Sequence, residues 1–137
     1  MKREIKTRRM KRIQVPTAVL DIAVLPEERS ALLATFAGVG EVDLESGEYT
    51  GLYSHQSYVS GVAYLPELNQ VVSSGYDGKL CWFDRESKVQ VRSVDAARAW
   101  IWKLAAGQRN DGTRLIAAGS GQYLAGDYEY RPKPSEE

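Results

Sequence analysis

His55-Gln56-Ser57-Tyr58-Val59-Ser60-Gly61-Val62-Ala63-Tyr64-Leu65-Pro66 begins the stretch that decides the fold, and Val71-Val72-Ser73-Ser74-Gly75-Tyr76-Asp77-Gly78-Lys79-Leu80-Cys81-Trp82-Phe83-Asp84 completes it. Its apolar runs, Val59–Leu65, Val71–Val72 and Lys79–Phe83, are short and rich in β-branched or aromatic side chains. Leu65-Pro66-Glu67 and Asp77-Gly78 separate them. Proline presets one torsion of a turn, and glycine supplies the positive φ that a tight hairpin needs. The stretch therefore reads as three consecutive antiparallel strands.

The pattern recurs on both sides. Val19-Leu20-Asp21-Ile22-Ala23-Val24-Leu25-Pro26-Glu27 matches Val59-Ser60-Gly61-Val62-Ala63-Tyr64-Leu65-Pro66-Glu67 at a shift of 40, and Ile101-Trp102-Lys103-Leu104-Ala105-Ala106 is a fainter copy at a shift of 42. Val42-Asp43-Leu44-Glu45-Ser46-Gly47-Glu48 matches Phe83-Asp84-Arg85-Glu86-Ser87-Lys88-Val89 at a shift of 41. A repeat of about 40–45 residues holding four short strands is what one propeller blade requires. The predicted inner strands are 19–25, 59–65 and 101–106, and the second strands 31–36, 70–74 and 114–118. Third strands are expected at 39–44, 79–84 and 122–128, and outer strands at 49–53 and 88–94. The last repeat lacks an outer strand, because Arg131-Pro132-Lys133-Pro134 breaks pairing. Asp95–Ala106 is alanine-rich, but Trp100 and Trp102 would fall on different sides of a helix, so a loop leading into a strand is expected.

The middle repeat resembles the WD40-repeat β-propellers. That family carries a histidine, the run V-x-x-V-A-F-S-P, a small-residue strand, Asp-Gly, and a strand ending in Trp-Asp; here Phe83-Asp84 stands where Trp-Asp is usual. The resemblance covers residues 17–128 loosely and 55–84 closely. It implies an all-β fold, a partial β-propeller of three four-stranded antiparallel WD40-like blades. Residues 1–11 would form a basic N-terminal arm and 12–16 a candidate closing strand. The blades would occupy 17–53, 54–94 and 95–128, with 129–137 as a tail.

The resemblance also implies a structural hydrogen-bond network in which Asp77 accepts from His55 and His55 meets Ser73. Phe83 holds the tryptophan position without a donor, so the fourth link is expected to be lost. The flanking repeats depart further: Val15, Phe36 and Val42 stand at the histidine, turn-aspartate and tryptophan positions of the first, and Ala97 and Gly121 at or near two of them in the third. Propellers close with about four to eight blades. Three blades therefore imply either a larger ring or two chains in one ring, with residues 12–15 pairing onto the partner's last blade.

Composition narrows the function classes. The chain has 137 residues, 43% apolar and 26% charged, which suits one globular domain and not a disordered chain. Its 18 basic and 18 acidic residues cancel, so no global field marks a nucleic-acid or membrane protein. The single cysteine, Cys81, excludes an internal disulfide and a multi-cysteine zinc site, and the single histidine, His55, excludes a His-His metal site. The charge is uneven, however: Lys2, Arg3, Lys6, Arg8, Arg9, Lys11 and Arg12 face only Glu4 within the first twelve residues. Pro16 and Asp21 interrupt the following apolar run, against a signal peptide. The arm reads either as a solvated terminus or as a binder of RNA or an anionic surface. No metal or cofactor and no membrane association are expected, and a cytoplasmic location is expected.

No enzyme is expected either. A general base at His55 would need a nucleophile and a polarising group, and the sequence nominates neither. Cys81 reads as a structural thiol, and Gly38-Val39-Gly40 and Gly119-Ser120-Gly121 lack the strand-to-helix context of a phosphate loop. In the resembled fold Tyr58, Tyr76 and Trp100 share one rim, and exposed Tyr and Trp anchor protein interfaces. Packing between blades is the competing reading for Tyr76 and Trp100, while Trp82 and Trp102 are expected in the core or on blade faces. The expected function is a non-catalytic scaffold for a protein or peptide partner. Binding of RNA or an anionic surface through residues 1–12 is the alternative.

Overall fold

Four strands, β1 (Val19–Leu25), β2 (Ser30–Thr35), β3 (Val39–Asp43) and β4 (Tyr49–Tyr53), pair antiparallel in chain order to make the first sheet of the computed structural model, which describes residues 11–123 and 130–131. A second sheet repeats this meander with β5 (Val59–Leu65), β6 (Gln70–Gly75), β7 (Lys79–Asp84) and β8 (Val89–Asp95). The third is smaller: β9 (Trp100–Gln108) and β10 (Arg114–Tyr123) form a long hairpin, and the two-residue β11 (Tyr130–Arg131) pairs with the end of β10. Among the described residues the third sheet has three strands, so four-stranded units are present in the first two sheets. Residues 122 and 123, predicted to begin a third strand, continue β10 instead, and 124–128 lie outside the described residues.

The repeat is visible in an irregularity as well as in the strands. On β1, Val19 pairs with Thr35 and Asp21 with Ala34, so Leu20 is one residue too many. Ser60 is the extra residue on β5 and Trp102 on β9, at the same repeat position. Such bulges leave the extra residue out of the ladder and raise the local twist. Their freed carbonyls are used: Lys103 Nζ donates to Leu20 O at 2.7 Å and to Ser60 O at 3.3 Å. Ser60 Oγ donates to Ile101 O, and the Val62 amide donates to the Asp21 carboxylate at 3.1 Å. One inner strand of each sheet is therefore tied to the next.

The core lies between the first two sheets. Leu25, Leu32, Ala34 and Val39 from one meet Val59, Val62, Val71 and Phe83 from the other. Complete burial of side chains such as Leu32 and Val59 contributes roughly 1.5–3 kcal/mol each. The far face of the first sheet carries Ala31, Leu33 and Val42, with Ile13, Val15 and Tyr49 packed on it. Residues 12–16, the candidate closing strand, are not in a strand of the described chain, and Ile13 and Val15 pack on the far face of the first sheet.

Candidate interaction rim

His55 sits in the loop between β4 and β5, its side chain wholly enclosed. Its Nδ1 lies 3.1 Å from Asp77 Oδ1 and its Nε2 lies 2.7 Å from Ser73 Oγ. Since the carboxylate only accepts, Nδ1 carries a proton; Nε2 is then free to accept from Ser73, whose oxygen accepts in turn from the Tyr53 hydroxyl at 2.7 Å. Every donor in this row has an acceptor. Burial pushes the Asp77 carboxyl up, but the hydrogen bonds from His55 and from the Lys79 and Gln56 amides outweigh it and hold the group below its ordinary value. Gly75 makes room for the arrangement: a Cβ there would stand 2.5 Å from His55 Nδ1 and 2.6 Å from Asp77 Oδ1.

The expected loss of the fourth link is corrected by Tyr53. Phe83 offers no donor, yet its ring stacks on Tyr53 at 4.8 Å, and the tyrosine hydroxyl supplies the missing hydrogen bond from the preceding sheet. Aspartate, histidine and serine stand here in the order of a hydrolytic triad. Ser73 is fully buried, and its oxygen accepts from the Tyr53 hydroxyl and faces His55 Nε2.

The first repeat holds an apolar copy of the same cluster. Ile13, Val15, Leu33 and Val42 stand at the positions of Tyr53, His55, Ser73 and Phe83, at shifts of 40, 40, 40 and 41, and all four meet in one cluster. The turn after β2 is also one residue shorter, because Ala34 pairs with Val39 where Ser74 pairs with Leu80. Thr35 Oγ1 accepts from the Ala37 and Gly38 amides at 3.1 Å, doing the work of a turn aspartate. Phe36 therefore does not occupy that position, as the sequence suggested; it is the counterpart of Tyr76. The Phe36 amide donates to Ala18 O at 3.1 Å and the Tyr76 amide to Tyr58 O at 2.9 Å.

This register lines aromatic rings across the sheets. Phe36 stacks on Tyr58 at 4.1 Å, Tyr58 meets Tyr76 at 5.8 Å, and Tyr76 stacks on Trp100 at 5.3 Å. Trp102 closes the row, edge-on to Tyr76 at 5.8 Å and to Trp100 at 5.7 Å. Phe36 and Trp102 were not singled out for this rim, and Trp102, expected in the core or on a blade face, is 38% exposed. Trp102 is the extra residue of the β9 bulge, and from there its ring meets Trp100 edge-on. Phe36, Tyr58 and Trp100 are 42%, 43% and 45% exposed. The row borders a concavity of about 560 Å³ lined by Phe36, Ala37, His55, Gln56, Ser57, Tyr58, Tyr76 and Trp100, with no acidic or strongly basic side chain among them.

Other sequence candidates lie elsewhere. Cys81 is buried on β7 beside Ser93 and Gln90, and burial pushes its thiol up, away from the thiolate a nucleophile needs. Trp82 is half-buried with Arg92 over its ring at 4.7 Å. Among the described residues no group of His, Cys, Asp and Glu could hold a metal ion, and no helix is long and apolar enough to cross a membrane.

No family model matches the chain, and no curated protein matches it. Among solved structures, the crystal structure of Saccharomyces cerevisiae Sqt1 is similar, with a TM-score of 0.64 and 8% identity over 75% of this chain. The match covers 28% of the Sqt1 chain. Together with the antiparallel meanders, this likeness supports a WD40-like, propeller-type all-β fold.

Proposed function

We propose that the chain is a non-catalytic WD40-like interaction module that holds a protein partner on the rim built by Phe36, Tyr58, Tyr76 and Trp100. The row of exposed rings about a half-buried Tyr76, continuous over three sheets, is the observation that carries this reading. Rings of this kind bury large rigid areas at small entropic cost, and they dominate the energetics of protein interfaces. The Tyr58 and Tyr76 hydroxyls and the Trp100 indole N–H are the polar tips of these rings. The concavity beside them offers aromatic faces and donors but no acidic or strongly basic side chain. It suits an uncharged peptide segment with free backbone carbonyls, an extended or proline-containing one above all.

The test is partner capture with the wild-type chain and with Tyr58→Ala and Tyr76→Ala, identifying bound proteins and repeating the wash in high salt. Loss of one reproducible protein partner in both variants, with capture unaffected by salt, supports the rim. An unchanged partner set rules it out. The alternative, an RNA or anionic-surface module, rests on the seven basic side chains within residues 1–12. Its signature is an RNA affinity that falls steeply with salt and disappears when residues 1–12 are removed.

A further inference from the structure

Trp102 joins the rim from a residue that its own ladder does not hold, and we infer that Ser60 and Lys103 are the positioning pair that sets it there. The functional consequence rests on the rim being the binding surface; the geometry does not. Gly119 pairs with Lys103 and Ser120 with Ile101, which leaves Trp102 between them without a ladder partner. A bulge re-aims a side chain, so the direction has to be fixed from outside the ladder. The Trp102 ring nonetheless meets Tyr76 at 5.8 Å and 66° and Trp100 at 5.7 Å and 75°.

Ser60 grips the chain on both sides of this tryptophan. Its Oγ donates to the carbonyl of Ile101, the wholly buried residue before Trp102. Its carbonyl accepts from Nζ of Lys103, the residue after Trp102, at 3.3 Å. Ser60 is itself fixed, at 2% exposure, and its Oγ, while donating to Ile101, accepts from Ser74 Oγ at 3.0 Å. The Lys103 ammonium reaches on to Leu20 O at 2.7 Å. Leu20 and Ser60 are the extra residues of the β1 and β5 bulges, so one ammonium joins the irregular points of all three inner strands. With three donors on a compact head, it serves both carbonyls at once. Leu104, next along β9, is pressed against Gly61, where an added Cβ would stand 3.0 Å from the Leu104 amide nitrogen.

Of these ties, the one at Lys103 is removable without opening the core, because Lys103 is exposed while Ser60 and Ile101 are buried. Without the ammonium the bulge is held only on its Ile101 side, and Trp102 loses its set angle to Trp100. A partner would then have to order that ring on binding, which costs affinity.

Circular dichroism of the full chain tests the clamp with no partner present. Two indoles held edge-on at close range couple their transitions and give a couplet, while the third tryptophan, Trp82, lies apart on β7 beneath Arg92. Trp102→Phe calibrates the signal by abolishing it. Lys103→Met keeps an unbranched stem and removes the donors; it should lose more than half of that couplet while strand content and cooperative melting are kept. Lys103→Arg, which still donates to both carbonyls, should retain most of it. Should Lys103→Met fail to melt cooperatively, Lys103→Gln, too short to reach both carbonyls, takes its place with the same loss expected. A full couplet in the variant without the ammonium overturns the proposal, as does an arginine variant as depleted as the methionine one. A wild-type spectrum indifferent to Trp102→Phe overturns it as well. A couplet that depends on Lys103, beside partner capture that Tyr58→Ala and Tyr76→Ala leave unchanged, sinks the rim as a binding surface and leaves the clamp standing. Capture that needs both tyrosines, beside a couplet indifferent to Lys103, does the reverse.

Discussion

The Tyr53 hydroxyl donates to Ser73 Oγ across 2.7 Å, joining the last strand of the first sheet to the second strand of the next. It fills a place that Phe83 cannot, and its ring stacks on Phe83 at the same time. Tyr53→Phe keeps the stack and removes only the donor. The expected loss is about 0.5–1.5 kcal/mol, read as a lower melting temperature. Burial pushes the Tyr53 phenol well above its usual 10.0. A raised folded-state value means the contribution is complete below 10.0 and is lost as pH rises beyond it. The gap between wild type and Tyr53→Phe should therefore narrow in alkaline melts; a gap that widens there would refute this account.

Asp77 carries the opposite dependence. Its carboxyl accepts from His55, from the Gln56 amide and from the Lys79 amide, and is held below the ordinary 3.8. A lowered folded-state value gives stability that is present above 3.8 and is lost as pH falls through the folded value. Asp77→Asn should cost about 1–3 kcal/mol at neutral pH, the range for buried hydrogen bonds to a charged group. Urea unfolding should show the two proteins converging in acid. Equal midpoints at neutral pH would mean the network contributes nothing.

How far the sequence could be read follows from what repeats. The shift of 40 between Val19–Leu25 and Val59–Leu65 marks two inner strands that the structure has at those residues. It also nominates His55, Ser73 and Asp77, which the structure brings together. Tyr53 is not legible from the strand bearing Phe83, because the donor comes from the neighbouring sheet. The available signal was positional: Tyr53 stands two residues before His55 as Ile13 does before Val15. Phe36 was placed one residue out of step, since a shift of 41 fits the strands after the turn and 40 those before it. Apolar alternation at Ile13 and Val15 indicated burial but carried no information on whether the backbone finds a ladder. Beyond Asp95 the repeat is faint, and there the length of β10 was not legible.

Ser30 and Ser73 make a controlled contrast. Both are buried, but among the described residues Ser30 Oγ has no hydrogen-bond partner, while Ser73 is held by His55 and Tyr53. Removing an unpaired hydroxyl leaves nothing uncompensated, whereas removing a paired one strands its neighbours. Ser30→Ala should leave stability unchanged or raise it by up to about 1 kcal/mol, and Ser73→Ala should lower it by about 1–3 kcal/mol. Thermal melts of the two variants decide this, and a reversed order would contradict it.

Arg85 fastens the same two sheets at the end away from the rim. It lies just after β7, and its Nη2 reaches Glu28 at 2.6 Å and Glu41 at 2.7 Å, while Nη1 reaches Glu28 at 3.1 Å and Asn69 at 3.0 Å. The guanidinium carbon stands 5.4 Å from the Tyr64 ring centre, and the Tyr64 hydroxyl donates to the same Asn69 oxygen at 2.8 Å. The hydrogen bonds from Arg85 to Glu28 hold its charge more firmly than in water. A planar fork can serve two carboxylates and an amide oxygen together, which a lysine ammonium on a single flexible stem cannot. The Glu28 carboxylate is half exposed and solvent screens it, so Glu41, at 28% exposure, should carry the larger share. Arg85→Ala should cost about 1–3 kcal/mol and Arg85→Lys should recover less than half of that. Double-mutant cycles should give a greater coupling of Arg85 with Glu41 than with Glu28, both diminishing as salt is added. A lysine variant as stable as the wild type would show that charge alone, without the fork, holds the two sheets at this end.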